Sequence, residues 1–250
     1  MPGLDDQEAR ALVAQGCRIL AMEGLVEGIL GHVSVRGRDG SMLIRCRGPQ
    51  EKGLVFSASA DVRRMSLDGT GEELSDGWDA PKEWPIHAEL YRRRPEVGAV
   101  VHAHPPASVA VGLAGLALRP IFGAFNIPAM RLGLEGVPVY PRPVLITRLE
   151  LAKEMAEAMG YRPCCLLVGH GVTAVGPSVQ AAVTTALNLE ALAKMTLQMA
   201  VLGARPDNVA PRDLEELPDL GSSFNDDTNW RYLCAKESAL SHRHGAEAGT

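Results

Sequence analysis

Residues 83–106 read EWPIHAELYRRRPEVGAVVHAHPP. In the first half, Trp84, His87, Leu90 and Tyr91 recur at helical spacing, which predicts a helix from Glu83 to Arg93 closed by Pro95. In the second half, Gly98 to Ala103 is apolar and β-branched, which predicts a buried strand. That strand ends on His102 and His104, followed by Pro105 and Pro106, which cannot continue a ladder. Side chains two apart on a strand leave the same face, so both imidazoles can converge on one ion at a strand end where a cleft opens. Glu83 and His87 are one turn apart and share a helix face. The Glu83 carboxylate is open to two readings. It reaches the same cleft as a fourth ligand or a general acid/base, or it is an N-terminal helix charge favoured by the dipole.

The flanking segments alternate in the same manner. Residues 6–23 have the apolar spacing of an amphipathic helix stopped by Gly24. Val33 to Arg36 and Met42 to Arg45 form a β-hairpin across a Gly/Asp turn. Residues 53–67 read as a strand followed by a short helical turn, and 68–79 as a solvated loop. A small-residue helix is expected from Ala107 to Leu113, then an irregular region with short strands from 117 to 143. Helices are predicted over 147–159 and 179–202, with strands at Cys164–Val168 and Val172–Val175 between them. The methionines of the last helix are read as core or subunit interface. His170 stands between two glycines directly after an apolar strand, where a sharp turn leaves the ring exposed as a third ligand. Three neutral imidazoles leave a coordination position open for water or substrate, as a catalytic metal site requires. The reading is one α/β domain over residues 1–250, with a polar tail from about 211 and frayed final seven residues.

Composition removes several classes of function. With 46% hydrophobic and 22% charged residues, the chain is globular in profile, and no run approaches a membrane span. A formal charge of −5 provides no counterion-release drive towards nucleic acid. Five cysteines, none in a CxxC pair, argue against a disulfide framework or a cysteine zinc site. Met1 to Gly24 is interrupted by acidic residues and lacks a secretion signal's apolar centre, so a cytoplasmic location is expected.

GHVSVR (31–36), the 83–106 stretch, and LLVGHGVTAVG (166–176) ahead of a long Ala-rich helix resemble, in this order, the class II aldolase/adducin family. The resemblance runs from about residue 7 to 203. It implies an α/β/α sandwich around a central, mainly antiparallel sheet, and homotetramers with sites near subunit interfaces. It also implies that His102, His104 and His170 bind one divalent metal ion per subunit and that Glu83 is the catalytic carboxylate.

Departures from the family pattern narrow the substrate. His32 stands where sugar-phosphate aldolases usually have Asn, and Pro81 and Lys82 stand where they have paired serines that help hold a phosphate. Arg142, with Tyr140 close by, aligns with the aldolase proton-donor tyrosine. The RCRGPQEKGL run instead resembles the decarboxylases of dihydroxyphthalate and related acids, and Arg45 and Arg47 are natural carboxylate partners. The expectation is a metal-dependent decarboxylase of a non-phosphorylated hydroxylated aromatic acid or a related enolisable ring-cleavage product. Glu83 or His32 protonates the carbon, Ser34 and Arg36 shape the pocket, Arg45 and Arg47 hold carboxylates, and Tyr140 and Arg142 reach a neighbouring subunit's site. The metal is zinc, manganese, iron or cobalt. The alternatives are an aldolase acting on an unphosphorylated hydroxy-keto acid, an iron-dependent oxygenase, and a non-catalytic adducin-like interaction module.

Overall fold

The structure is a computed structural model that describes residues 5–220 and 223–247. Its strands are β1 (His32–Arg36), β2 (Met42–Arg45), β3 (Val62–Met65), β4 (Ala99–Ala103), β5 (Val139–Tyr140), β6 (Cys164–Leu167) and β7 (Gly171–Gly176). They form one sheet in the order β3-β2-β1-β4-β7-β6-β5. Every neighbouring pair is antiparallel except β5 and β6.

The helices are α1 (Asp6–Met22), α2 (Trp84–Arg93), α3 (Pro106–Leu113), α4 (Ile127–Leu132), α5 (Leu149–Met159), α6 (Val179–Val201), α7 (Pro211–Glu215) and α8 (Trp230–Glu247). Strand alternation divides the core between the two faces of the sheet. Val33, Leu43, Val101 and Val172 pack with residues of α1, α3 and α6, whereas Ile44, Val100, Cys165 and Val175 pack with α2 and α5. The result is the expected α/β/α sandwich. Local chemistry starts the helices where the site needs them. Asp5 and Glu8 form a reciprocal capping box on α1, and the Ser178 side chain accepts the Ala181 amide at the start of α6.

Three segments differ from the sequence reading. In 53–67 the order is reversed, with 3₁₀ turns at Leu54–Phe56 and Ser59–Asp61 preceding the strand. The irregular region contains α4, started by the Asn126 side chain accepting from the Ala129 amide. The expected polar tail carries α7 and α8, and α8 buries Trp230 and Leu233 in the α1/α6 core while Lys236 and Glu237 pair with Glu23 and Arg18. A few apolar anchors in a polar helix suffice once ion pairs hold its other side. Of the final seven residues, 244–247 are helical and 248–250 lie outside the described residues, as do 1–4. Among the described residues no helix is long and apolar enough to cross a membrane. Met195 and Met199 on α6 are half-buried.

Candidate metal centre

Sheet register assembles the site. In the ladder, His102 on β4 stands opposite His32 on β1 and Thr173 on β7. The turn from β6 to β7 brings His170 over the end of β4. Gly169 takes φ +63°, and a Cβ at Gly171 would lie 2.3 Å from the Ala103 carbonyl oxygen, so this close approach requires glycine. Glu83 precedes α2 as its N-cap residue, but its side chain does not cap the helix. One oxygen, Oε1, instead accepts the Ile146 amide at 2.8 Å, and Oε2 lies 3.3 Å from Nε2 of both His102 and His170. The carboxylate is thus turned from the helix end towards the histidines.

Glu83, His102, His104 and His170 each offer one ligand atom, and these atoms lie within 4.8 Å of one another. His102 Nδ1 is 3.0 Å from the Val172 carbonyl oxygen. A carbonyl can only accept, so Nδ1 carries the proton and Nε2 presents its lone pair. His104 Nε2 is 3.0 Å from that same atom. Both ring nitrogens of His170 are buried and, apart from the 3.3 Å approach of Nε2 to Glu83, have no hydrogen-bond partner among the described residues. Buried lone pairs facing one another are costly unless a proton or a cation lies between them, and this donor set fits a divalent metal.

The electrostatics favour the ligand forms. Burial, then His102 and His170, push His104 down to about 3, so it is neutral at pH 7. Burial opposes charge on Glu83, but the rings of His102 and His170 beside it hold its carboxyl well below the ordinary carboxylate range. In the forms that bind a metal, three neutral imidazoles and one carboxylate, the donor set carries a single negative charge. A divalent ion leaves the centre net positive, and an anionic ligand is favoured there.

His32 stands beside this cluster, its ring centroid 5.0 Å from that of His102. Its Nδ1 is 2.7 Å from His87 Nε2, His87 Nδ1 is 2.6 Å from Ser34 Oγ, and Ser34 Oγ is 2.7 Å from Tyr91 Oη. Ser34 is therefore placed behind His32 and not in the pocket as expected, because both of its hydrogen-bonding directions are used inside the protein. Arg36 is also withdrawn. Its guanidinium donates to the carbonyls of Tyr91, Arg94 and Val97 at the C-terminal end of α2, where the helix dipole favours a cation.

The two arginines of 45–47 separate. Arg45 continues the Leu43 side of β2, opposite to Ile44 and the metal-centre face, and pairs with Glu51 in the interior. With Gly48, Lys52, Phe56 and Trp78 it lines a cavity of about 410 Å³ that includes none of the four metal-binding candidates. Arg47 lies beyond the strand, half-buried, with Nη2 3.3 Å from the Ile29 carbonyl in the loop leading to His32. The Tyr140 hydroxyl donates to Glu154 at 3.1 Å and Arg142 pairs with the same carboxylate at 2.6 Å, so neither joins the centre within this chain. His87 and Tyr91 were not assigned a role from sequence. The signal available was their helical spacing from Glu83, but not what they would meet across the sheet.

Residues 11–197 match the model of the class II aldolase and adducin N-terminal domain, and the chain belongs to that family. Within it, the chain is 51% identical to the 3,4-dihydroxyphthalate decarboxylase of Arthrobacter keyseri, over 92% of this chain and 94% of that protein. It is 50% identical to the enzyme of the same name from Terrabacter sp. (strain DBF63), over 91% of this chain and 96% of that one. A crystal structure of an aldolase II superfamily protein from Pseudomonas syringae shares the fold, with a TM-score of 0.78 at 18% identity and 95% of each chain covered.

Proposed function

We propose that this protein is a divalent-metal-dependent decarboxylase of a non-phosphorylated, hydroxylated aromatic carboxylic acid, with 3,4-dihydroxyphthalate as the substrate to test first. The near full-length likeness to decarboxylases of that name carries the reading, and the intact cluster of three histidines and Glu83 supports it. His102, His104, His170 and Glu83 would hold the ion; zinc, manganese, iron and cobalt all suit such donors. When bound, the metal supplies Lewis acidity that stabilises the electron pair left on carbon as carbon dioxide departs.

The remaining steps belong to the protein's own side chains. The carbon–carbon bond to the carboxylate breaks, its electron pair stays on the ring carbon, and a proton from water replaces the lost group. His32 is the imidazole beside the cluster that is not a ligand candidate, so it is placed to hydrogen-bond the substrate and to pass that proton. Glu83 is spoken for by Ile146 and the histidines, which favours the ligand role over acid/base work. Arg47, near the loop before His32, is the carboxylate clamp. We further read the protein as a cytoplasmic homotetramer with sites near subunit interfaces, where the half-exposed Arg142 is available to a neighbouring site. Tyr140 supports it through Glu154.

Purified protein loaded with each metal is expected to release carbon dioxide from 3,4-dihydroxyphthalate without forming an aldehyde or pyruvate and without consuming oxygen. His102→Ala is expected to weaken metal binding by about 100-fold or more, beyond the usual loss for a supporting residue. Aldehyde or pyruvate among the products, oxygen uptake, or undiminished metal content in the variant would each overturn the reading.

A further inference from the structure

The buried chain behind His32 has a direction, and proton counting gives it. Its four members are joined by three hydrogen bonds of 2.6–2.7 Å, each able to hold one proton. Tyr91 is almost fully buried, and among the described residues its hydroxyl meets Ser34 Oγ and the Val100 amide; the amide can only donate, so Ser34 is the one acceptor for the phenolic proton. If Tyr91 donates to Ser34, then Ser34 donates to His87 Nδ1 and His87 Nε2–H donates to His32 Nδ1. Three of the four protons are then used inside the chain, and the fourth, on His32 Nε2, faces the cleft. If the chain runs the other way, His32 Nδ1–H donates to His87, His87 to Ser34 and Ser34 to Tyr91, and the phenolic proton is left buried with no acceptor. A buried orphan donor is disfavoured by a factor of about five or more.

We propose that Ser34 and His87 are positioning residues, with Tyr91 closing the far end of their chain, that hold His32 in the tautomer with its proton on Nε2, so that the ring offers the cleft an N–H donor for a substrate carboxylate. His32 lies between His87 and His102, with ring centroids 4.8 and 5.0 Å away, so Nδ1 is turned to His87 and Nε2 is the nitrogen left for the cleft. This accounts for a histidine on β1 whose partners are all internal. It also converts Ser34 from a substrate contact into the residue that orients one. The carboxylate as the ligand rests on the decarboxylase reading, whereas the tautomer rests only on the hydrogen bonds.

The test is a two-bond ¹H–¹⁵N correlation of the zinc-loaded protein, with the His32 ring assigned by the signals lost in His32→Gln. In the native chain Nε2 is expected to be the protonated nitrogen in at least about four-fifths of molecules. Tyr91→Phe is expected to preserve that tautomer, because Ser34 still has His87 as its one acceptor. Ser34→Ala cuts the chain and leaves His87 Nδ1 against a methyl group in either direction. The His32 nitrogen shifts should then move towards the average of the two tautomers. A role in packing alone would lower the melting temperature of both variants and leave the His32 shifts in place, which would overturn the proposal. So would an unprotonated Nε2 in the native protein, and that spectrum decides the matter even if Ser34→Ala does not fold. Carbon dioxide release from 3,4-dihydroxyphthalate is measured on the same sample. Failure there with the tautomer intact refutes the substrate reading and leaves the positioning role standing.

Discussion

Replacing Glu190 with alanine is expected to unseat the helix that directly follows His104. Helix α3 opens on Pro106, which has no amide proton, so the first-turn amides needing partners are those of Ala107 and Ser108. Glu190, buried in the middle of α6, supplies both: Oε1 accepts Ala107 N at 3.0 Å, and Oε2 accepts Ser108 N at 2.9 Å and Ser108 Oγ at 2.7 Å. Truncation to alanine strands two amides in the interior, each costing roughly 1–3 kcal/mol, while the Ser108 hydroxyl can rotate away. The expected loss is about 4 kcal/mol, or a fall in melting midpoint of roughly 8–16 °C for a chain of this size. Glu190→Gln keeps one acceptor oxygen and should lose about half as much. Urea denaturation of the metal-loaded protein followed by circular dichroism measures both. An alanine variant within about 1 kcal/mol of the native protein would refute the anchoring argument.

Burial holds His87 at about 3, against 6.5 for an exposed ring, so it is neutral in the fold and takes up a proton only on unfolding. Its contribution is complete above pH 6.5 and drains away between 6.5 and about 3, up to about 5 kcal/mol in all. Denaturation midpoints of His87→Gln should therefore fall less steeply than the native ones between pH 7 and 5; parallel curves would contradict this. Arg45→Met should destabilise the protein by about 2 kcal/mol, because part-buried Glu51 is left with the Gly53 amide and no guanidinium, with KM changed less than about threefold. Arg47→Ala should instead leave stability within about 1 kcal/mol and raise KM about tenfold or more. The reverse pattern would return Arg45 to the substrate site.

The metal cluster was legible because its signals are short-range. His102 and His104 are fixed to one face by strand alternation, and His170 is announced by the glycines on either side of it. Ser34 and Arg36 share the face of His32 but stand farther along β1, where Tyr91 and the end of α2 take up their polar groups; Arg45 was misplaced for another reason. Alternation says which residues share a face, but not which face looks onto the cluster, and Arg45 falls on the other side of the sheet from Ile44. Glu190 and Tyr91 were not singled out, since their partners lie 82–83 and 57 residues away along the chain. Helix α8 was missed because its mean character is polar and its two buried anchors carry no periodic signature.

Periodicity, glycine placement and histidine spacing thus specified most elements, an α/β domain and the candidate histidines, since each is dictated by backbone geometry over a few residues, whereas the sandwich and the joining of His170 to the HxH pair came from the resemblance to the family. Which side chains stand behind that trio was decided by strand order and cross-strand register. Register sets His32 opposite His102 and hangs His87 and Tyr91 over Ser34. Shifting β1 by one residue would send His32 and Ser34 to the opposite face, away from His102 and α2, and such long-range pairing leaves no trace in local sequence.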